Sequence, residues 1–194
     1  MPYEAPTVEQ DMRRWLERAV IGLNLCPFAK AVHVKGQIHY AVSAASCAAE
    51  LRRDLLAELR DLAAMDAQQR DTTLLIAPLA FPDFLDFNDF LAEADQALAE
   101  LDLEGVLQIA SFHPRYRFAG TDPDDITNFT NRAPHPTLHL LREASLDRAV
   151  QAFPEAETIY ETNMATLERL GPEGWRALDV GPSPAAGTEG GGRP

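Results

Sequence analysis

Residues 74–112 read LLIAPLAFPDFLDFNDFLAEADQALAELDLEGVLQIASF, and the fold turns on how they are divided. Leu74 to Leu79 is a short apolar run of strand length, interrupted by Pro78. Asp83 then offers an N-cap. Phe84, Phe87, Phe90, Leu91, Ala94, Leu98 and Leu101 follow at spacings of three and four, which predicts an amphipathic helix. Gly105 opens the next strand, Val106 to Phe112. A strand, a crossover helix and a second strand form the unit of a parallel or mixed sheet.

The flanking sequence extends that alternation. Val8, Met12, Trp15, Leu16, Ala19, Val20 and Leu23 make one apolar stripe, which predicts a first helix from about Val8 to Leu25, capped by Thr7 and stopped by Pro27. Val32, Val34, Ile38, Tyr40 and Val42 all occupy even positions and read as one face of a strand, with Gly36 as a bulge or turn. Ser46 caps a second helix, about Cys47 to Ala67, with Leu51, Leu55, Leu59 and Leu62 on one side. Downstream, Leu138, Leu141, Ala149, Val150 and Phe153 predict a helix over 137–153, with Ser145 offering a break. A last helix, about Ala156 to Leu170, ends at Gly171-Pro172. The expected fold is a single α/β domain over 7–178, with a small mixed or parallel sheet, crossover helices and a C-terminal helical segment. Residues 1–6 are expected to be flexible. The Gly/Pro-rich end, 179–194, is expected to be a disordered tail, because it has too little apolar surface to offset its ordering entropy.

Composition limits the partners. The chain has 194 residues and a net charge of −13, so its field repels polyanions and argues against nucleic acid or an anionic membrane surface. No apolar run approaches the roughly 20 residues that span a bilayer. The first residues lack the basic start and apolar run of a signal peptide, and Cys26 and Cys47 form no Cys-x-x-Cys; both features suit a reducing cytoplasm.

The segment 113–135, HPRYRFAGTDPDDITNFTNRAPH, is the candidate site. It follows a strand end, where open α/β sheets place ligands, and it is long for a connection without regular structure. Arg115, Arg117 and Arg132 are suited to a carboxylate or phosphate, with Asn128 and Asn131 as neutral donors and His113 to move a proton. The alternative is internal pairing of these arginines with Asp122, Asp124 and Asp125. Cys26, in Asn24-Leu25-Cys26-Pro27, is a candidate nucleophile if the fold brings a base to it; otherwise it is a buried structural thiol. His135 and His139 would share a face of a helix but stand roughly 13 Å apart in a strand. With no His-Glu-x-x-His and no cysteine cluster, no metal is assigned.

Three segments carry a resemblance. They are Val20-Ile21-Gly22-Leu23-Asn24-Leu25-Cys26-Pro27-Phe28-Ala29, Phe81-Pro82-Asp83-Phe84-Leu85-Asp86-Phe87, and Ser111-Phe112-His113-Pro114 through Leu138-His139-Leu140-Leu141-Arg142-Glu143-Ala144. Together they resemble the DUF1415 family of uncharacterised bacterial and plastid proteins. The resemblance spans roughly residues 7 to 170 and implies one whole domain; it brings no activity, cofactor or catalytic residue with it. The residues themselves point to a small cytoplasmic enzyme acting on an anionic small molecule at the 113–135 loop. Two alternatives stand beside it: a non-catalytic module binding a metabolite or metal, and a protein-interaction domain using a partly exposed Phe81–Phe90 face.

Overall fold

A computed structural model describes residues 4–152 and 158–184. Helix α1 (Ala5–Trp15) continues into a π-helical turn, Leu16–Ile21. There follow α2 (Ala29–Val34), β1 (Ile38–Val42), α3 (Ala48–Ala64), β2 (Thr72–Ile76), α4 (Phe84–Glu100) and β3 (Leu107–Phe112). A 3-10 turn (Ile126–Asn131) precedes β4 (Thr137–Arg142), α5 (Glu143–Ala152) and α6 (Ile159–Ala177). The sheet order is β1-β2-β4-β3, with β1 and β2 parallel and β4 antiparallel to both of its neighbours. The chain is therefore mixed α/β, as its alternating pattern implies.

Helices α3 and α4 cover one face of the sheet. Their apolar stripes, Leu51, Leu55, Leu59 and Leu62 with Phe87, Phe90, Ala94 and Leu98, close on Leu75, Leu107, Leu138 and Leu140. The Asp83 side chain accepts from the Leu85 N–H at 2.8 Å, supplying the expected cap of α4. The opposite face carries Tyr40, Leu74, Ile76 and Phe112, and α1 packs over it through Val8, Met12 and Trp15.

Two expected elements change type. Val32 and Val34 belong to helix α2, and the strand begins only at Ile38, after a turn at Gly36 with φ of 68°. Residues 137–142 are the strand β4 and not the start of a helix. Lying between β2 and β3, β4 has neighbours on both edges and apolar side chains on both faces, so it lacks the polar alternation that marks a one-sided strand. Within α6 the helix stops after Leu170 as expected, because Gly171, at φ 66° and ψ 174°, is non-helical; a second helical part that begins beyond this break carries Trp175 onto the Phe129 ring at 5.0 Å.

The two chain ends meet at Asp11, which is buried in α1. Its carboxylate accepts from Ser183 Oγ (2.6 Å), Ser183 N (2.9 Å), Arg14 (2.9 Å) and His135 Nε2 (3.0 Å). Burial alone would raise the Asp11 pKa, but the Ser183 and His135 hydrogen bonds outweigh it and hold the carboxyl below its usual range. Val180 is buried beside it, and Arg14 donates to the carbonyls of Asp179 and Gly181. The expectation of a disordered tail from residue 179 is thus corrected for 179–183. A few well-placed polar bonds and one apolar side chain anchor a segment whose composition alone looked inert. Residues 185–194 of that tail, and 1–3 of the expected flexible start, lie outside the described residues; Ala5 and Pro6 already sit in the first turn of α1.

This arrangement sets an expectation for truncation. A chain ending at Pro184 should melt about 4–8 °C higher than one ending at Asp179, corresponding to about 2 kcal/mol for the buried valine and the lost donors to a buried carboxylate. Calorimetry on the two lengths measures it, and equal melting temperatures would show that the docked segment adds nothing.

Candidate functional site

The connection 113–136 is bonded within itself. His113 is buried; its Nε2 lies 3.0 Å from the Phe81 carbonyl and its Nδ1 accepts from the Arg115 N–H at 3.0 Å. Both ring nitrogens are therefore occupied, and the ring packs against Phe84 and Phe87 of α4. Burial lowers its pKa, keeping it neutral. The Arg115 side chain donates to the Pro82 carbonyl. Arg132 donates to the carbonyls of Tyr116 (3.1 Å) and Pro123 (2.5 Å) and lies over the Phe129 ring at 4.2 Å. Arg117 is exposed. Asn128 Oδ1 accepts from Phe118 N and Thr121 Oγ1 while its amide donates to the Asp122 carbonyl, and the Asn131 amide donates to the Ser111 carbonyl. Asp125 caps the 3-10 turn at Thr127. The arginines thus meet backbone carbonyls more than the loop aspartates, and they do not converge with His113 on one pocket.

A concavity lies elsewhere among the described residues. On the α1 side of the sheet, α1 covers only part of the face. Between α2 and α5 a cavity of about 540 Å³ remains. Its floor is Ile38, Leu74, Leu141 and His139; Trp15 and Phe112 close one end, and Leu146 and Ala149 of α5 form a wall. Cys26, Pro27 and Phe28 form another part of the lining, so the resemblance-bearing segment around Cys26 borders this space. Lys35, which follows α2, and Arg148 of α5 are exposed at its rim. Arg148 donates to Ser145 Oγ (3.0 Å), which itself donates to Asp71 (2.6 Å). Arg142 contributes its stem, while its guanidinium donates to the carbonyls of Leu62 and Met65 at the end of α3. None of His113, Arg115, Arg117, Asn128, Asn131 and Arg132 lines it.

Cys26 and His113 stand on different sides of the sheet. Cys26 packs with the α1 core, and His113 with the phenylalanines of α4. Burial raises the Cys26 thiol pKa, against a smaller opposite effect of the Phe28 and Ala29 backbone, so the thiol is mostly protonated at neutral pH. His135 and His139 are likewise separated in role: the first holds Asp11, the second faces Thr72. Burial pushes the His139 pKa down to about 4. The aromatic face is closed only in part: Phe87 and Phe90 are buried, with the Phe81 ring 6.0 Å from the first and 5.0 Å from the second, while Phe81 and Phe84 are half-buried and Leu85 is exposed.

A helix over 137–153 gives His139 no place in the site; the strand β4 does. The period-two reading of Thr137, His139 and Leu141 was the signal that could have placed it on the same sheet face as Leu74, its register partner.

The depressed histidines make stability pH-dependent in a known direction. His113, His135 and His139 all titrate lower in the folded chain than the 6.5 of free imidazole. As pH falls below about 6.5, the unfolded chain therefore takes up protons first and the fold loses stability. For His139 the loss is complete near pH 4 and amounts to at most about 3 kcal/mol. Urea unfolding of His139→Asn between pH 7 and pH 4.5 should show a shallower decline than the unsubstituted chain. An identical decline would mean that His139 is not held neutral by burial.

Comparison with known proteins gives a family and no further relative: no curated protein and no solved structure matches the chain. The family profile described as protein of unknown function (DUF1415) matches residues 7–177, which take in the whole sheet, the segment around Cys26 and the helices that wall the cavity. With that span matched, the chain belongs to the DUF1415 family.

Proposed function

We propose that this chain binds an anionic small molecule with an apolar body, and that its site is the cavity between α2 and α5. The observation that carries the proposal is the state of those two helices. Helices α3 and α4 each bury four or more side chains, whereas neither α2 nor α5 has a single fully buried residue. Their apolar inner faces border an opening instead of a packed core. Protein interiors are normally filled, and a preformed apolar space of this size with a few polar groups is the usual form of a ligand site. Lys35 and Arg148 at the rim supply local positive charge in a chain of net charge −13, alongside the Asp71 carboxylate, which Ser145 engages. The anionic ligand inferred from the sequence is retained, and its place moves from the 113–135 loop to this cavity.

A second reading rests on Cys26 lining the same space as His139. In an enzyme, Cys26 would be the nucleophile and His139 the base. Two features favour binding over catalysis: a thiol raised by burial and an imidazole pushed down to about 4. Both cysteines are free thiols, which supports placing the protein in the reducing cytoplasm. Among the described residues no helix is long and apolar enough to cross a membrane.

Trp15 lines the cavity and is a natural reporter. In a Trp175→Phe background, 8-anilinonaphthalene-1-sulfonate should quench Trp15 with one-to-one stoichiometry. Ala149→Phe, which fills the space from α5 without adding a tryptophan, should weaken that binding by about tenfold or more, roughly the loss of 1.4 kcal/mol. Quenching that Ala149→Phe leaves unchanged would place the dye elsewhere and remove the basis of the proposal.

A further inference from the structure

The polarity of the cavity floor follows from one hydroxyl. Thr72 Oγ1 lies 2.6 Å from the Leu140 carbonyl and 2.7 Å from His139 Nε2. A threonine hydroxyl carries one proton. The carbonyl can only accept, so that proton goes to Leu140, and Oγ1 must accept from the ring. His139 therefore holds its proton on Nε2, and its Nδ1 is a bare acceptor. Thr72 is buried, and its backbone is fixed on both sides by β1 and β4, so the arrangement is built into the sheet.

His139 Nδ1 has no partner among the described residues. It is not sealed in the core either, since among those residues the one sealed side-chain N or O atom without a partner is Tyr40 Oη. The ring is partly exposed, and the space that it borders is the cavity. An acceptor surrounded by Leu74, Leu141 and Phe112 discriminates strongly: a ligand atom that donates to it gains a hydrogen bond in apolar surroundings, while one that only accepts meets a lone pair.

Resting on the cavity assignment above, we infer that the ligand is an amphipathic hydroxy acid or its amide analogue. A hydroxyl or N–H at its inner end donates to His139 Nδ1, an apolar body lies along Leu141, Leu146 and Ala149, and an anionic group sits at the mouth near Lys35 and Arg148. The geometry demands a donor at the inner end and so separates this class from simple fatty or aromatic acids, which would enter with a bare hydrocarbon terminus.

Two measurements test this. Nitrogen chemical shifts of the His139 ring in the unliganded protein report the tautomer directly, and Nε2–H is expected; Nδ1–H overturns the inference. Binding of 10-hydroxydecanoate is then compared with that of decanoate, which has the same chain and carboxylate without the inner hydroxyl. The ratio of the two affinities should favour the hydroxy acid about tenfold more in the unsubstituted protein than in His139→Phe, the effect of one desolvated hydrogen bond. An equal ratio in both proteins overturns the inference. So does a protein that takes up 8-anilinonaphthalene-1-sulfonate in the cavity but neither acid. If the dye fails as well, the cavity assignment itself falls and this inference with it. Should His139→Phe not fold, Thr72→Val in its place frees the ring from its tautomer lock and should lower the same ratio.

Discussion

The insertion of β4 between β2 and β3 is the constraint from which the rest of the molecule follows. β2 and β3 run in the same direction and are joined through α4, yet they do not touch; β4 fills the gap with antiparallel ladders to both. To enter that gap the chain must reverse after Phe112 and return at Thr137, and the connection 113–136 exists to make that return. Its arginines, asparagines and buried histidine satisfy the backbone groups of a long irregular path that would otherwise be left without partners. The same insertion sets His139 in the middle of the sheet, next to Leu74 on one side and Ala110 on the other.

The two faces of the sheet were unequally legible. Helices α3 and α4 could be read because each has one apolar stripe and a polar back, and Asp83 marks a start by a side chain that has few other uses. β4 is harder to read: Thr137, Leu138, His139 and Leu140 alternate, but Leu141 then puts an apolar side chain on the face of Thr137 and His139 and breaks the pattern after four residues. Val32 and Val34 misled in the opposite sense: their even spacing continued that of Ile38, Tyr40 and Val42, and the reversal at Gly36 that separates helix from strand leaves little trace in a hydropathy pattern.

The site was harder still. The loop 113–135 draws attention because its charges are conspicuous, and side-chain partners can be guessed from sequence. Backbone carbonyls cannot, and they are what Arg115 and Arg132 bind. The cavity, by contrast, is made from α2, α5 and all four strands, which come from separate parts of the chain, and its distinctive polar group, His139, is tuned by Thr72, a residue that no motif singles out. Cys26 is the exception: the segment that made it noticeable does border the cavity, although its expected base, His113, lies across the sheet.

The Asp11 cluster bears on how the molecule moves. It ties α1 to the segment that follows α6, so the first and last parts of the described chain share one set of bonds. Local opening in proteins proceeds through cooperative units, and a unit is defined by what must break together. Here α1 cannot lift from the sheet without releasing Ser183, and Ser183 cannot leave without stranding a buried carboxylate. The beginning and the end of the chain should therefore exchange their amide hydrogens as a single block, on a timescale separate from that of the α3–α4 layer. Because Trp15 belongs to the element that this block would lift, the opening of the two ends is also a way into the cavity.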